Sequence, residues 1–184
     1  MMEQFVRRMA QPRPVDDVKR EAARYNEYGK VAQRHGIKLL IHNHTVEFIP
    51  CQGSNEVPYT ILLRETDPEL VVFQMDIGWA TVAGQDPVAL FTQHPGRFPL
   101  WHVKDAACLK CLPPATDMGA RMVEARLVPV GTGDIDYAEI FKHATVAGLK
   151  HFAVEQDSAA DWGDSVAAAG VSYRNLRAML SGKA

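Results

Sequence analysis

Residues 41–48, Ile-His-Asn-His-Thr-Val-Glu-Phe, place two imidazoles, an amide and a carboxylate directly after a short apolar run. Three other apolar runs in the chain also end in polar side chains of this kind. The residues at these four run ends that could bind a metal ion or move a proton are His42, His44, Glu47, Asp76, His102, Asp105, Glu155 and Asp157.

This mixture of carboxylates and imidazoles suits a divalent ion such as manganese, magnesium, cobalt or zinc. An ion of this type can hold two neighbouring sugar oxygens and stabilise an enediolate when the carbon between them loses its proton. A carboxylate or histidine beside it could remove and return that proton. The pattern therefore favours isomerisation, epimerisation or elimination next to a carbonyl group.

The elements that must position these groups alternate along the chain. Apolar runs predict strands at 37–41, 70–75, 98–103 and 152–154, and helical spacing predicts helices at 15–35, 59–65, 88–94, 136–147 and 164–180. Asp86 is the expected N-cap of the third helix, with Pro87 in its first turn, and residues 106–126 are expected to form a long loop. Short apolar strands alternating with helices predict an α/β fold, a parallel sheet covered by helices. The carboxyl ends of its strands, where the polar residues lie, share one edge.

The composition argues against proteins that bind nucleic acid and proteins that span a membrane. The 184 residues are 47% hydrophobic and 23% charged, with a formal net charge of −2. This balance gives no electrostatic reason to expect nucleic acid or a membrane as partner, and no run approaches the roughly 20 apolar residues of a membrane span. We expect a single domain over 1–184 in the cytoplasm, because the first residues lack the apolar core of a signal peptide. Cys108 and Cys111 are expected to be incidental loop cysteines, because no second Cys/His pair accompanies them.

Two further segments carry open or structural interpretations. The glycine-rich turn at 131–136 lacks the Walker lysine, and is expected to be a tight turn into a helix capped by Asp136. Trp79 follows Asp76 closely, and either lines the pocket, where an aromatic face suits a sugar, or packs beneath its rim.

Five motifs carry a family resemblance: GIKLLIHNHTVEF, FQMDIGWATVAGQDPVALF, PGRFPLWHVKD, VPVGTGDIDYAEIF and HFAVEQD. Together they resemble the sugar phosphate isomerase/epimerase family, within the xylose isomerase-like TIM-barrel superfamily, over nearly the whole chain from Asp16 onward. The resemblance implies a small-molecule sugar substrate and a divalent metal ion, most readily Mn²⁺, held by one group from each of four consecutive strand ends.

The resemblance assigns three ligands directly: Asp76 of MDIGW, His102 of WHVKD and Glu155 of VEQD. Where relatives have Glu-Asn-His, this chain has His42-Asn43-His44, and we favour Glu47 as the remaining ligand. Glu47, Glu155 and His42 are then the expected catalytic residues. The expected substrate-binding residues are His44, Trp79, Lys104 and Asp105.

A full barrel of this type has eight strands and roughly 250 residues. This chain matches the last four strands, with a leading helix at 14–35 and four strand–helix units over 36–184. We therefore expect the C-terminal half of a TIM barrel, open at both sheet edges, and such edges favour a homo-oligomer, for example a dimer of half-barrels. The alternatives to an isomerase or epimerase are a keto-sugar or inosose dehydratase of the same superfamily, and an inactive truncated remnant. A phosphodiester-cleaving enzyme is disfavoured by the absence of a basic stripe.

Overall fold

The computed structural model describes residues 10–182. The ends of the predicted domain, 1–9 and 183–184, lie outside the described residues. The helices are α1 (Val15–Arg34), α2 (Pro58–Glu65), α3 (Ile77–Val82), α4 (Pro87–Gln93), α5 (Met118–Glu124), α6 (Tyr137–Lys142), α7 (Ala144–Ala147) and α8 (Ser165–Leu180). The strands are β1 (Leu39–His42), β2 (Val71–Asp76), β3 (Leu100–Val103), β4 (Asp105–Ala107), β5 (Arg126–Val128) and β6 (His151–Val154).

The main sheet has four parallel strands in the order β1-β2-β3-β6. This confirms the predicted α/β fold and its arrangement as an open partial barrel, with β1 and β6 as the edge strands. Successive side chains of a strand point to opposite faces, so the paired residues Met75 and Trp101 lie on one face and the next pair, Asp76 and His102, on the other. The apolar face is the core face, where Phe73, Met75 and Trp101 are fully buried.

The core forms because the helices bring aromatic residues to this face. The Phe91 ring of α4 stacks parallel to Trp101 with centroids 4.8 Å apart, and Tyr59 of α2 meets Phe73 edge to face at 5.4 Å. The first helix presents Val18, Ala22 and Gly29 inward at helical spacing and packs on α2 and β1. This packing fixes the strands whose polar ends lie on the other face.

The prediction of a long loop at 106–126 was wrong. The segment contains α5 and most of β4, and β4 pairs antiparallel with β5, Ala106 opposite Leu127. Asp117, inside the segment predicted as a loop, is the N-cap of α5 and accepts a hydrogen bond from Ala120 N. A strand of three residues shows too little alternation of apolar and polar side chains to be recognised in a sequence. Its stability also depends on pairing with a strand about 20 residues away, which no local pattern contains.

Smaller differences concern the ends of elements. The helix predicted at 136–147 is divided at His143 into α6 and α7, and α3 directly after β2 was not predicted. The expected caps are confirmed: Asp86 accepts from Val88 N and Asp136 accepts from Glu139 N. Cys108 and Cys111 lie outside the long strands and helices, as expected, but they form a disulfide with each other. Within residues 10–182, the helices are all too short or too polar to cross a membrane.

Candidate metal centre

Four side chains meet at the carboxyl edge of the parallel sheet. His42 ends β1, Asp76 ends β2, His102 lies in β3 and Glu155 follows β6, so each neighbouring strand contributes one group. One ligand atom from each lies within 4.8 Å of all the others. His102 Nδ1 lies 2.7 Å from Glu155 Oε2, and His42 Nε2 lies 3.5 Å from Asp76 Oδ2.

The same four atoms, His42 Nε2, Asp76 Oδ2, His102 Nδ1 and Glu155 Oε2, are buried without an oriented hydrogen bond from the part of the chain that the structure describes. Their close charged neighbours are one another and the Lys104 ammonium, so a cation placed between them would be a partner that all four atoms share. Two imidazole nitrogens and two carboxylate oxygens are a donor set that fits a divalent transition ion. The residues present therefore fit a metal ion.

Asp76 uses its two oxygens differently. Oδ1 caps α3 by accepting a hydrogen bond of 2.8 Å from Trp79 N, while Oδ2 points to the group of four. Burial alone would raise the pKa of this carboxyl, but its contacts with His102 and His42 and the charge of Lys104 hold the pKa well below its usual range. The carboxylate is therefore ionised, which is the form that binds a cation.

The two histidines at the centre have different neighbours. Contact with Asp76, aided by the charge of Glu155, raises the pKa of His102 despite partial burial. His42 lies against His102 and His44, with ring centroids 4.7 Å and 4.8 Å away. Burial lowers the pKa of His44, and the neighbouring His42 adds to this effect. A neutral imidazole can accept a proton or bind a metal ion, and the lowered pKa favours this form of His44.

The structure does not bring Glu47 into the group of four, and His42 occupies the place for which Glu47 was favoured. The Glu47 Oε2 atom accepts a hydrogen bond of 2.7 Å from His44 N, in the short 3-10 turn Val46–Phe48. The carboxylate therefore holds the backbone that follows β1. The preference for a carboxylate ligand had rested on the resemblance, and only the fold shows which side chain reaches the centre.

Asp105, expected to bind substrate, is fully buried and holds a loop instead. Its Oδ2 accepts from Gly131 N and Gly133 N at 2.9 Å each, and its Oδ1 accepts from Ala106 N at 2.9 Å. These bonds leave no exposed carboxylate surface for a sugar, so the structure corrects this expectation. The glycine-rich turn is thereby a structural turn, as expected, and Asp105 is its anchor.

The other expected substrate-binding residues lie around the centre. The Lys104 ammonium is buried against Asp76 and Glu155, and lies 4.9 Å from the centroid of the Trp79 ring. The His44 ring lies 6.3 Å from the same ring. Trp79 is only 5% exposed, which favours the interpretation that it packs beneath the rim.

Two residues that position the site were not singled out from the sequence. The fully buried side chain of Asn43 joins two strand ends, accepting from Asp76 N at 3.0 Å and donating to Asp76 O at 3.2 Å. The Tyr137 hydroxyl accepts from Lys104 N at 2.8 Å and donates to Lys104 O at 2.7 Å. The position of Asn43 between two histidines could have indicated its role in positioning the site. Nothing in the sequence marks Tyr137, because its partner is a backbone 33 residues away.

Comparison with known proteins agrees with this fold. A sequence model of the xylose isomerase-like TIM barrel family matches residues 4–173, and the chain belongs to this family. Inosose dehydratase from Lactiplantibacillus plantarum is 27% identical over 138 residues, which are 72% of this chain and 45% of the relative. Inosose dehydratase from Halalkalibacterium halodurans is 30% identical over 63% of this chain and 38% of its own length.

A solved structure of a sugar phosphate isomerase/epimerase from Parabacteroides distasonis superposes with a TM-score of 0.73 and 25% identity, covering 91% of this chain and 54% of that one. The chain therefore spans about half the length of the relatives that it matches. In the described residues, the family's fold is present as an open partial barrel with four parallel strands.

Proposed function

We propose that this chain forms the metal-binding half of an enzyme that removes a proton next to the carbonyl of a sugar or sugar derivative, through an enediolate. The observation that carries the proposal is the convergence of His42, Asp76, His102 and Glu155 at neighbouring strand ends. We propose these four as the metal ligands, with Mn²⁺ as the ion that the family resemblance favours and Mg²⁺, Co²⁺ and Zn²⁺ as alternatives.

The chemistry of each residue follows from its position. A bound divalent ion would polarise the substrate carbonyl and stabilise the enediolate charge. Glu155 has the most exposed side chain of the group, 39%, so its carboxylate can meet a substrate and move the proton. Glu47 is the candidate for the second proton carrier, on the β1 side of the centre, and His42 would take this role only if its Nε2 does not bind the ion. His44 is the candidate to hold a substrate oxygen, because the Lys104 side chain is only 1% exposed and its ammonium lies among carboxylates.

The net reaction has two candidates. Isomerisation or epimerisation follows from the resemblance and from the Parabacteroides distasonis structure, which is called a sugar phosphate isomerase/epimerase. Dehydration of an inosose or keto-sugar is favoured by the curated relatives, which are inosose dehydratases. Both reactions begin with the same proton abstraction. They differ in whether the intermediate then regains a proton or loses a hydroxyl group.

The metal site can be tested by thermal unfolding after treatment with EDTA. We expect Mn²⁺ to raise the Tm of the parent protein. An ion that binds the folded state but not the unfolded state stabilises the folded state by mass action. Asp76→Ala and His102→Ala should each abolish the rise. His35→Ala, which removes an exposed histidine after α1, is the matched control and should keep it. A parent protein whose Tm does not respond to any of the four ions contradicts the proposal.

The reaction class can be tested separately by incubating the metal-loaded protein with keto-sugars and inososes in deuterium oxide. Incorporation of deuterium without loss of water indicates an isomerase or epimerase. A dehydrated product indicates the second candidate.

We also propose that the open sheet is completed by association, because β1 and β6 have unpaired edges in the described part of the chain. A second copy of this chain is the partner that we expect. The proposed assembly is a dimer of half-barrels.

A further inference from the structure

The ammonium of Lys104 lies among three carboxylates, although its side chain is only 1% exposed. Its Nζ is 3.0 Å from Asp76 Oδ2, 3.2 Å from Glu155 Oε2 and 2.9 Å from Asp157 Oδ2. The face of Trp79 lies 4.9 Å away, within the range of a cation–π contact. An ammonium so enclosed has few positions to occupy other than those beside these carboxylates.

Two of these three oxygens, Asp76 Oδ2 and Glu155 Oε2, also belong to the group of four proposed metal ligands. A divalent cation at the centre and the ammonium of Lys104 would therefore both contact the same two oxygens. Two cations a few ångströms apart repel each other, and the repulsion is strong where water is largely excluded. Lys104 therefore weakens the binding of a metal ion unless a further carboxylate balances the charge of the Lys104 ammonium.

The third carboxylate, that of Asp157, can balance this charge. Asp157 lies outside the group of four, and its Oδ2 is the acceptor of an oriented hydrogen bond from Lys104 Nζ. The three carboxylates and Lys104 carry formal charges of −3 and +1, which sum to −2, so a divalent ion makes the set neutral. Without Asp157 the same set would carry +1 with the ion bound, and without Lys104 it would carry −1.

We propose that Lys104 is an internal cation that competes with the metal ion for Asp76 and Glu155, and that Asp157 is a positioning residue that holds the ammonium when the ion binds. This inference rests on the proposed metal centre. It assigns to Lys104 a role in setting metal affinity, and to Asp157 a role that acts only through Lys104.

The test is calorimetric titration of the EDTA-treated full chain with Mn²⁺ alone. Lys104→Met keeps most of the side-chain volume and removes the charge, and should tighten Mn²⁺ binding by about tenfold or more, the effect expected from losing a nearby positive charge. Asp157→Asn should weaken binding several-fold, because Lys104 then has no carboxylate other than the two ligands. The double variant should bind as tightly as Lys104→Met. The control is Lys142→Met, which removes an exposed ammonium paired with Glu139 and should leave binding unchanged.

The outcomes distinguish a failure of this inference from a failure of the proposed metal centre. A parent protein that binds no Mn²⁺ overturns both. A parent protein that binds Mn²⁺, with a Lys104→Met variant that binds it equally or more weakly, overturns the inference alone and makes Lys104 a support for the ligands. If Lys104→Met does not fold, unchanged binding by Asp157→Asn overturns the inference. An Asp157→Asn effect that persists in the Lys104→Met background does the same.

Discussion

Asn43 and Asp76 link the ends of two neighbouring strands through side chain and backbone together. Asn43 forms two hydrogen bonds with the backbone of Asp76, and Asp76 caps α3 with the oxygen that does not face the centre. Each side chain therefore has its conformation fixed by bonds to the backbone. A carboxylate held in this way reaches its position without losing further conformational freedom when a ligand binds.

The placement of His42 and Glu47 gives a prediction at this scale. His42→Ala should abolish or strongly reduce the Mn²⁺-induced rise in Tm, since it removes one of the four converging atoms. Glu47→Gln should retain most of the rise, because the amide oxygen can still accept from His44 N. Thermal unfolding with and without Mn²⁺ measures both. The reverse result, loss with Glu47→Gln and retention with His42→Ala, would restore Glu47 as the ligand.

At the scale of elements, the loop between β5 and α6 depends on one buried carboxylate. Asp105, at the start of β4, accepts backbone hydrogen bonds from Gly131 and Gly133. The loop therefore folds back over β4, close to Lys104, whose backbone is held by Tyr137 of α6. The segment that contains the site lysine is fixed on both sides by these bonds.

We predict that Asp105→Asn lowers the free energy of unfolding by about 2–4 kcal/mol, because an amide NH₂ in place of one oxygen faces backbone donors. Asp134→Asn is the control, since exposed Asp134 accepts one bond from Leu109 N, and it should cost at most about 1 kcal/mol. Urea denaturation of the metal-free variants measures the difference. Equal effects of the two substitutions would contradict the anchoring role.

A close contact between α3 and the end of β3 also positions the site. Gly78 has no side chain, and a Cβ at this position would lie 2.5 Å from Lys104 O and 2.7 Å from Lys104 Cβ. The absence of a side chain lets α3 approach β3, so that Trp79 comes to lie under the Lys104 ammonium.

Gly78→Ala should therefore destabilise the protein by about 1–3 kcal/mol and weaken Mn²⁺ binding, because the backbone at Lys104, directly after β3, would have to move. Gly170→Ala, in the middle of α8 where the nearest atom to a Cβ is the flexible Arg174 side chain at 3.3 Å, is the control. It should be neutral or stabilising by about 0.5–1 kcal/mol. Chemical denaturation and titration with Mn²⁺ test both variants. A fully stable Gly78→Ala protein would show that α3 can shift freely.

At the scale of the whole molecule, the β6 edge is the most exposed part of the sheet. Phe152 and Val154 of β6 are about 40% exposed, and with Tyr173 and Leu180 of α8 they line a groove of about 690 Å³. In a closed barrel the next strand and its helix would cover this groove. Apolar surface of this kind beside an open edge favours association.

Light scattering on the purified chain should accordingly show a dimer or larger species. Tyr173→Lys should shift the protein toward monomer, because it places a charge in the groove at a side chain that is 62% exposed and so carries little of the core. Val166→Lys, at an 81% exposed position of the same helix outside the groove, should leave the assembly unchanged. A well-behaved monomer of the parent chain over the accessible concentration range would contradict the argument.

The sequence alone predicted the fold class and three of the four side chains that converge in the candidate site, Asp76, His102 and Glu155. Four apolar runs ending in His42, Asp76, His102 and Glu155 are local patterns, and parallel strands bring their carboxyl ends to one edge whatever the details of packing. Tertiary structure decided which groups reach the centre. His42 does so, whereas Glu47 bonds to backbone and Asp105 binds a loop. The physical reason is that hydrogen bonds between distant segments and three-residue strand pairs depend on contacts that no local pattern contains.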